Sequence, residues 1–342
     1  MASTSWVRVV LLVSFSVLLT LALGFGLPAV LNLAAGCFGF AEKSVTECIV
    51  FVYLVFVAYV AMPRVPRGVK NKAVFITGCD SGYGKALAKH LHKLGFTVFA
   101  GCLLKVNELK CDRMNVLQLD VRSEEQVTKA VEYVQEGLGD KATGLWALVN
   151  NAGISTFGEV EFTSMDTYKQ VSEVNLWGTI RVTKAFLPLV RRAKGRVVNL
   201  AGVYGRMGCV LRSQLCVSKY GVEAFSDCLR YEMRLWGVKV SIVEAGSLAG
   251  AKGNLARDTV SATANKLWHE AAAPVKEDYG KAHFDQQMAL VRSGCTAGDR
   301  DVRPVLDDIT DAIVSKRPYT RYNPMDFWPR PGHFKRSLLP FS

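Results

Sequence analysis

The 342-residue sequence has no Cys-x-x-Cys pair, and neither its cysteines nor its five histidines fall at a metal-ligand spacing. A bound metal is therefore not expected. Nine cysteines are an odd number; in an α/β protein of intracellular character they read as mostly buried free thiols, not as a disulfide framework. Internal repeats, low-complexity tracts and zinc-finger, helix-turn-helix or RNA-binding signatures are absent as well. Acidic residues are scarce relative to basic ones, 30 against 42, which leaves a formal net charge of +12. Such an excess serves either nucleic acid or an anionic membrane surface. No nucleic-acid motif is present and much of the charge flanks apolar segments. The expected partner is a lipid bilayer, and no nucleic acid.

Two uncharged stretches lie near the N-terminus. Val9 to Leu27 is mostly Leu, Val, Ala and Phe, long enough to cross a hydrocarbon core of roughly 30 Å as a helix. Cys48 to Met62 is shorter and needs tilt or bilayer thinning to span. Arg8 precedes the first run, and Arg64, Arg67, Lys70 and Lys72 follow the second. Basic flanks on both outer sides predict a helical hairpin whose soluble domain faces the cytosol. A cleaved signal peptide would leave the second run without a purpose. Residues 1–70 are thus read as a membrane anchor, 71–318 as one domain with a lid at about 249–300, and 319–342 as a basic, aromatic tail able to rest on a membrane interface.

From Lys72 onward short apolar strands alternate with helical periods. Strands are predicted at 73–76, 96–100, 116–121, 145–149, 195–200 and 238–243, and helices after Gly84 and over 124–138, 165–190 and 213–236. This rhythm predicts a single Rossmann-type α/β domain, a doubly wound parallel sheet.

The first strand runs into Thr77-Gly78-Cys79-Asp80-Ser81-Gly82-Tyr83-Gly84. Glycines between a strand and a helix let the backbone turn sharply and approach a pyrophosphate, which the helix N-terminus then receives. The spacing T-G-x-x-x-G-x-G, followed in order by Asp120, Asn150-Asn151-Ala152-Gly153 and Asn175, resembles the short-chain dehydrogenase/reductase family. The stretches from Asn150 to Asn199 and from Gly221 to Met233 (GVEAFSDCLRYEM) resemble the branch that holds D-3-hydroxybutyrate dehydrogenase together with membrane-anchored steroid and retinol dehydrogenases. The likeness spans about Asn71 to Asp326. It implies an oxidoreductase with a nicotinamide cofactor touching Thr77, Gly78, Asp80, Ser81, Gly82, Tyr83, Gly84, Asp120, Asn151, Ala152, Gly153, Lys219 and Gly246. It also implies that Asn175 steadies the active-site Lys219. The second strand ends Ala100-Gly101-Cys102-Leu103, with neither the acid that holds the ribose of NAD nor a base for the phosphate of NADP. NAD is what the resemblance implies, with NADP the alternative.

Two expected residues are missing. The family places a Tyr four positions before its Lys, so that the two share one helix face and the ammonium lowers the phenol pKa for proton transfer. Here that position is Leu215. Thirteen residues earlier the family has a Ser that bonds the substrate oxygen; here it is Gly202. Loss of general acid–base help costs about 10²–10⁴ in rate, and loss of an oxyanion-type donor about 10²–10³ more. Tyr204 is the leading candidate for a substitute proton donor. Ser218, one helical turn from Leu215, is a lesser one, and Tyr220 is expected to be a core aromatic. The turn after the sixth strand is altered as well, to Ala245-Gly246.

Three readings follow: a membrane-bound, NAD(H)-binding pseudoenzyme acting through a homo-oligomer or an active paralogue; an atypical dehydrogenase of a 3-hydroxy acid, steroid or retinoid; and a fold preserved without cofactor. The endoplasmic reticulum membrane is the expected location, with a mitochondrial membrane as the alternative.

Overall fold

Val74 and Ile76 point to one side of their strand and Ala73 and Phe75 to the other, yet all four are buried. Side chains alternate across a strand, so burial on both sides means a sheet covered on both faces. The computed structural model describes residues 68–69, 72–104, 109, 113–139, 144–246, 257–294 and 301–324, with isolated positions 14, 15, 17, 18, 21, 32 and 53 before them. The chain divides into one unit from Ser3 to Val65 and another from Pro66 to Ser342. The anchor expected in the first unit lies almost wholly outside the described residues, as do Met325–Ser342 of the tail. Among the described residues no helix is long and apolar enough to cross a membrane.

In the second unit seven parallel strands lie in the order β3-β2-β1-β4-β5-β6-β7. They are β1 (Ala73–Thr77), β2 (Thr97–Cys102), β3 (Met114–Gln118), β4 (Ala147–Asn150), β5 (Arg196–Leu200), β6 (Lys239–Val243) and β7 (Arg321–Tyr322). Helices α1 (Gly82–Lys93) and α8 (Arg303–Val314) cover one face, where Leu87, Leu91, Ile309 and Ile313 meet Val74, Ile76 and Val198. Helices α2 (Glu124–Leu138), α4 (Gly178–Arg192) and α5 (Ser213–Met233) cover the other, where Val127, Val182, Phe186 and Leu229 meet Phe75, Phe99 and Val197. Phe75 and Phe186 stack with ring centroids 4.3 Å apart.

The lid is helical. Helices α6 (Arg257–Glu270) and α7 (Ala273–Gly294, broken at Gly280) pack Val260, Leu267, Phe284 and Met288 on Phe157 and Phe162 of the loop after β4. The positive φ of Gly280, 73°, breaks the period that sequence reading needed. Three further expectations are corrected. The third strand ends at Gln118, so Asp120 lies two residues past it. The long helix from 165 is interrupted: α3 (Met165–Ser172) passes through a π-helical turn, Glu173–Trp177, into α4. And Arg321–Tyr322, within the expected tail, form the seventh strand beside β6.

Candidate active site

The strand order reverses between β1 and β4, and in open parallel sheets ligands bind at the carboxyl ends of strands at such a point. Here the crossing is stitched by Thr77, whose Oγ1 accepts from the backbone N–H groups of Asn151 and Ala152, each at 3.0 Å. Asn151 Nδ2 donates back to the carbonyls of Thr77 and Gly78, at 2.8 and 2.9 Å. The two turns are held as one piece. Their closeness requires glycine: a Cβ on Gly78 would lie 2.7 Å from Ala152 Cα, and one on Gly84 would lie 2.2 Å from the Gly78 carbonyl oxygen. Gly82 differs. Its φ is +56° and a Cβ there would meet nothing within 4 Å, so open space fronts the start of α1. Ser81, at the N-cap, is exposed and makes no side-chain cap bond. The Tyr83 hydroxyl donates to the Gly246 carbonyl at 3.3 Å, bringing the turn after β6 to the same place.

Asp80 turns the other way. Its two carboxylate oxygens accept the backbone N–H groups of Leu103 and Leu104, both at 2.8 Å. Asp120 is engaged by Arg122 through two-pronged contacts of 2.6–3.0 Å, and the Arg122 hydrogen bonds hold its carboxyl below the usual range.

On the far side of the crossing, Asn175 is buried in the π-helical turn. Its Oδ1 accepts the Ile154 N–H at 2.8 Å, and its Nδ2 donates to the Ile154 carbonyl and to Ser218 Oγ, both at 3.0 Å. Lys219 lies on α5 and its ammonium donates to the Leu200 carbonyl at 2.7 Å. The residue is half-buried, and burial of the ammonium draws its pKa down to about 8. A Cβ placed on Gly153 would lie 3.2 Å from Asn175 Oδ1 and 3.7 Å from Lys219 Nζ. Gly153, Asn175 and Lys219 therefore meet at one point.

Leu215, one turn before Lys219, is buried at 6% exposure. Gly202 has φ +82° and ψ 170°, and a Cβ there would lie 3.1 Å from the Ala245 carbonyl oxygen. That backbone region is essentially open to glycine only, so the loss of Ser is accompanied by a backbone that does not readily accept one. Ser218 is consumed: its hydroxyl donates to the Leu215 carbonyl at 2.8 Å while accepting from Asn175. Tyr220, expected in the core, is 46% exposed, because it lies about 140° round the helix from Leu215. Tyr204 sits in the 3-10 turn Val203–Gly205, half-buried, and among the described residues its hydroxyl makes no hydrogen bond. The next residue, Gly205, packs so tightly on α5 that a Cβ would lie 2.9 Å from Glu223 Cγ and 3.1 Å from the Lys219 carbonyl oxygen.

A buried polar chain behind the site was missed in the sequence. Asn150 Nδ2 donates to Thr183 Oγ1 and Asn199 Oδ1, both at 2.8 Å, and Asn199 Nδ2 donates to Ser226 Oγ at 2.7 Å. The signal was an Asn at the last position of β4 and another one before the last of β5.

A parallel doubly wound sheet, a glycine turn at its reversal point and an Asn–Lys pair opposite define a Rossmann-type oxidoreductase. Residues 72–259 match the short chain dehydrogenase family, and the chain belongs to that family, whose members use nicotinamide cofactors. It is 55% identical over 270 residues to the mitochondrial D-beta-hydroxybutyrate dehydrogenase of Bos taurus, covering 76% of this chain and 78% of that one. It is 42% identical to retinol dehydrogenase 7 of Rattus norvegicus and 40% identical to 17-beta-hydroxysteroid dehydrogenase type 6 of Homo sapiens; each match covers 76% of this chain and 82% of the relative. The crystal structure of a short-chain dehydrogenase from Streptomyces avermitilis, 24% identical, shares the fold with a TM-score of 0.58 over 74% of this chain and 88% of that one.

Proposed function

We propose that this chain is a membrane-attached, NAD(H)-binding member of the family in which the proton-transfer half of the reaction has been removed. The observation that carries this reading is the pairing of Leu215 with Lys219. The ammonium is in place and fixed on the Leu200 carbonyl, but the side chain one turn before it is apolar and buried. Leu has no proton to give, and Gly202 has no side chain to hold a substrate oxygen.

The residues fit the cofactor. The open space at Gly82, the exposed Ser81 and the start of α1 would receive the pyrophosphate. Lys219 would hold the hydroxyls of the nicotinamide ribose, beside Gly153. When bound, the nicotinamide supplies or takes a hydride. The chain's own part would be to seat it, to exclude water by means of the helical lid, and to leave the substrate oxygen without a proton partner. The bilayer is assigned from the two apolar stretches and their basic flanks. The relatives by name include a mitochondrial enzyme, which makes the mitochondrial membrane an alternative to the endoplasmic reticulum.

A second reading keeps activity through Tyr204. It is favoured by the Tyr204 hydroxyl, which makes no hydrogen bond among the described residues, and by the packing of its neighbour Gly205 on the backbone of Lys219. One experiment separates the two. Single-turnover hydride transfer is followed as NADH absorbance in the detergent-solubilised full chain with D-3-hydroxybutyrate, estradiol and retinol, for the wild type, Tyr204→Phe and Leu215→Tyr. The proposal expects NADH binding without turnover in the wild type, and turnover gained in Leu215→Tyr by roughly 10²–10⁴ over background. Wild-type turnover that disappears in Tyr204→Phe overturns it in favour of the second reading.

A further inference from the structure

The end of β2 poses a chemical problem. Nucleotide-binding sheets of this kind choose between NAD and NADP there, with an acid that bonds the ribose hydroxyls and repels a phosphate, or with bases that attract one. The described residues at that end, Gly101 to Leu104, carry no charged side chain.

A charge nevertheless stands at that place, and it comes from another segment. Asp80, the third residue of the glycine turn, spans the gap and binds the Leu103 and Leu104 N–H groups with one carboxylate oxygen each, at 2.8 Å. Two consecutive backbone donors fix both the position and the plane of the carboxylate. Each oxygen has a further lone pair for a ribose hydroxyl. Burial first, and after it the nearby Asp80, push the Cys102 thiol up to about 12, which places the side chain of Asp80 against the end of β2. Its residue is half-buried.

We infer that Asp80 is the residue that selects NAD over NADP, a fixed anion delivered to the end of β2 from the phosphate-binding turn. This rests on the cofactor reading above and deepens it. The local sequence Cys102-Leu103-Leu104 then needs no acid, because its backbone amides hold one supplied from elsewhere.

The test is equilibrium binding, not activity. NADH and NADPH are titrated into the detergent-solubilised full chain by the fluorescence of the reduced nicotinamide, for the wild type, Asp80→Asn and Asp80→Ser. Asn keeps an acceptor for one of the two amides and removes the charge. The expected result is a wild type that binds NADH more tightly, and variants in which the ratio of the two dissociation constants moves towards NADPH by roughly tenfold or more, mainly through tighter NADPH binding and less so at high salt. Equal weakening of both nucleotides in the variants assigns Asp80 to loop structure alone and overturns the inference while leaving the cofactor reading intact. Equal wild-type affinity for both also overturns it. A wild type that binds neither nucleotide overturns the cofactor reading, and this inference with it.

Discussion

Two residues of the site hold tension of different kinds, and each has a measurable sign. Gly202 occupies φ +82°, ψ 170°, where a side chain costs about 1–3 kcal/mol. Gly202→Ser is expected to lower the melting temperature by several degrees, and Gly202→Ala by a similar amount, since the cost is in the backbone. A calorimetric scan showing no loss in either variant would remove the strain argument. Activity is therefore better sought from Leu215→Tyr alone than from restoring both positions. Lys219 carries a charge that burial disfavours, with its pKa drawn from 10.5 to about 8. Below pH 8 both folded and unfolded chains hold the proton and the folded state bears the whole penalty, at most roughly 3 kcal/mol at about 1.4 kcal/mol per pH unit. Between pH 8 and 10.5 the unfolded chain binds the extra proton, so stability rises with pH. Lys219→Met is expected to melt higher than the cofactor-free wild type at pH 7, and the gap to close as pH rises through that window. A gap independent of pH would show that packing, not charge, sets the difference.

At the scale of elements, the π-helical turn Glu173–Trp177 is where the site and the fold are joined. Asn175 uses its whole amide there, on both backbone groups of Ile154 and on Ser218. Asn175→Ala would leave the half-buried Ile154 N–H without its partner, at up to about 1–3 kcal/mol. The expected outcome is faster hydrogen exchange at Ile154 and its neighbours, with the amides of β1 unchanged. Loss of protection throughout the sheet would instead make Asn175 part of the global core. The presence of Asn175 in the site was legible in the sequence, through its place in Val174-Asn175-Leu176-Trp177-Gly178. The π turn around it was not, because an inserted residue shifts the helical period without changing which residue types are apolar. The alternation of strands and helices was legible for the same reason in reverse: β1, β2, β4, β5 and β6 are almost wholly buried and read as largely apolar runs. Strand β7 has two residues, Arg321 and Tyr322, too few to carry any period. Asp80 and Asp120 were readable as members of a motif, but not their partners, since Leu103, Leu104 and Arg122 bind through backbone amides or a flexible guanidinium.

For the whole molecule, that short last strand closes the sheet through charge more than through its own ladder. Arg321 is ion-paired with Glu223 and, at 2.6 Å, with Asp227, and it approaches Glu244 at 3.4 Å. These acids lie on α5 and just past the end of β6, so one guanidinium ties β7, α5 and the strand that leads to Gly246. Glu223 and Glu244 are buried at 5% and 7% exposure. Removing the cation strands Glu223, while Glu244 keeps Arg206 at 3.3 Å, and breaking a buried pair from one side typically costs about 3–5 kcal/mol. Arg321→Met is therefore expected to unfold at a clearly lower urea midpoint at pH 7. Burial already holds the Glu244 carboxyl above its usual range, and loss of Arg321 raises it further. A carboxyl raised in the folded state weakens that state as pH climbs through the unfolded value towards the folded one, and ceases to do so once both forms are protonated. The deficit of Arg321→Met against the wild type should accordingly shrink as the pH is lowered from 7 towards 4. A deficit that is constant over this range would assign the role of Arg321 to the packing of its stem and to the edge of the sheet, and would leave the turn at Gly246 independent of the charge cluster behind it.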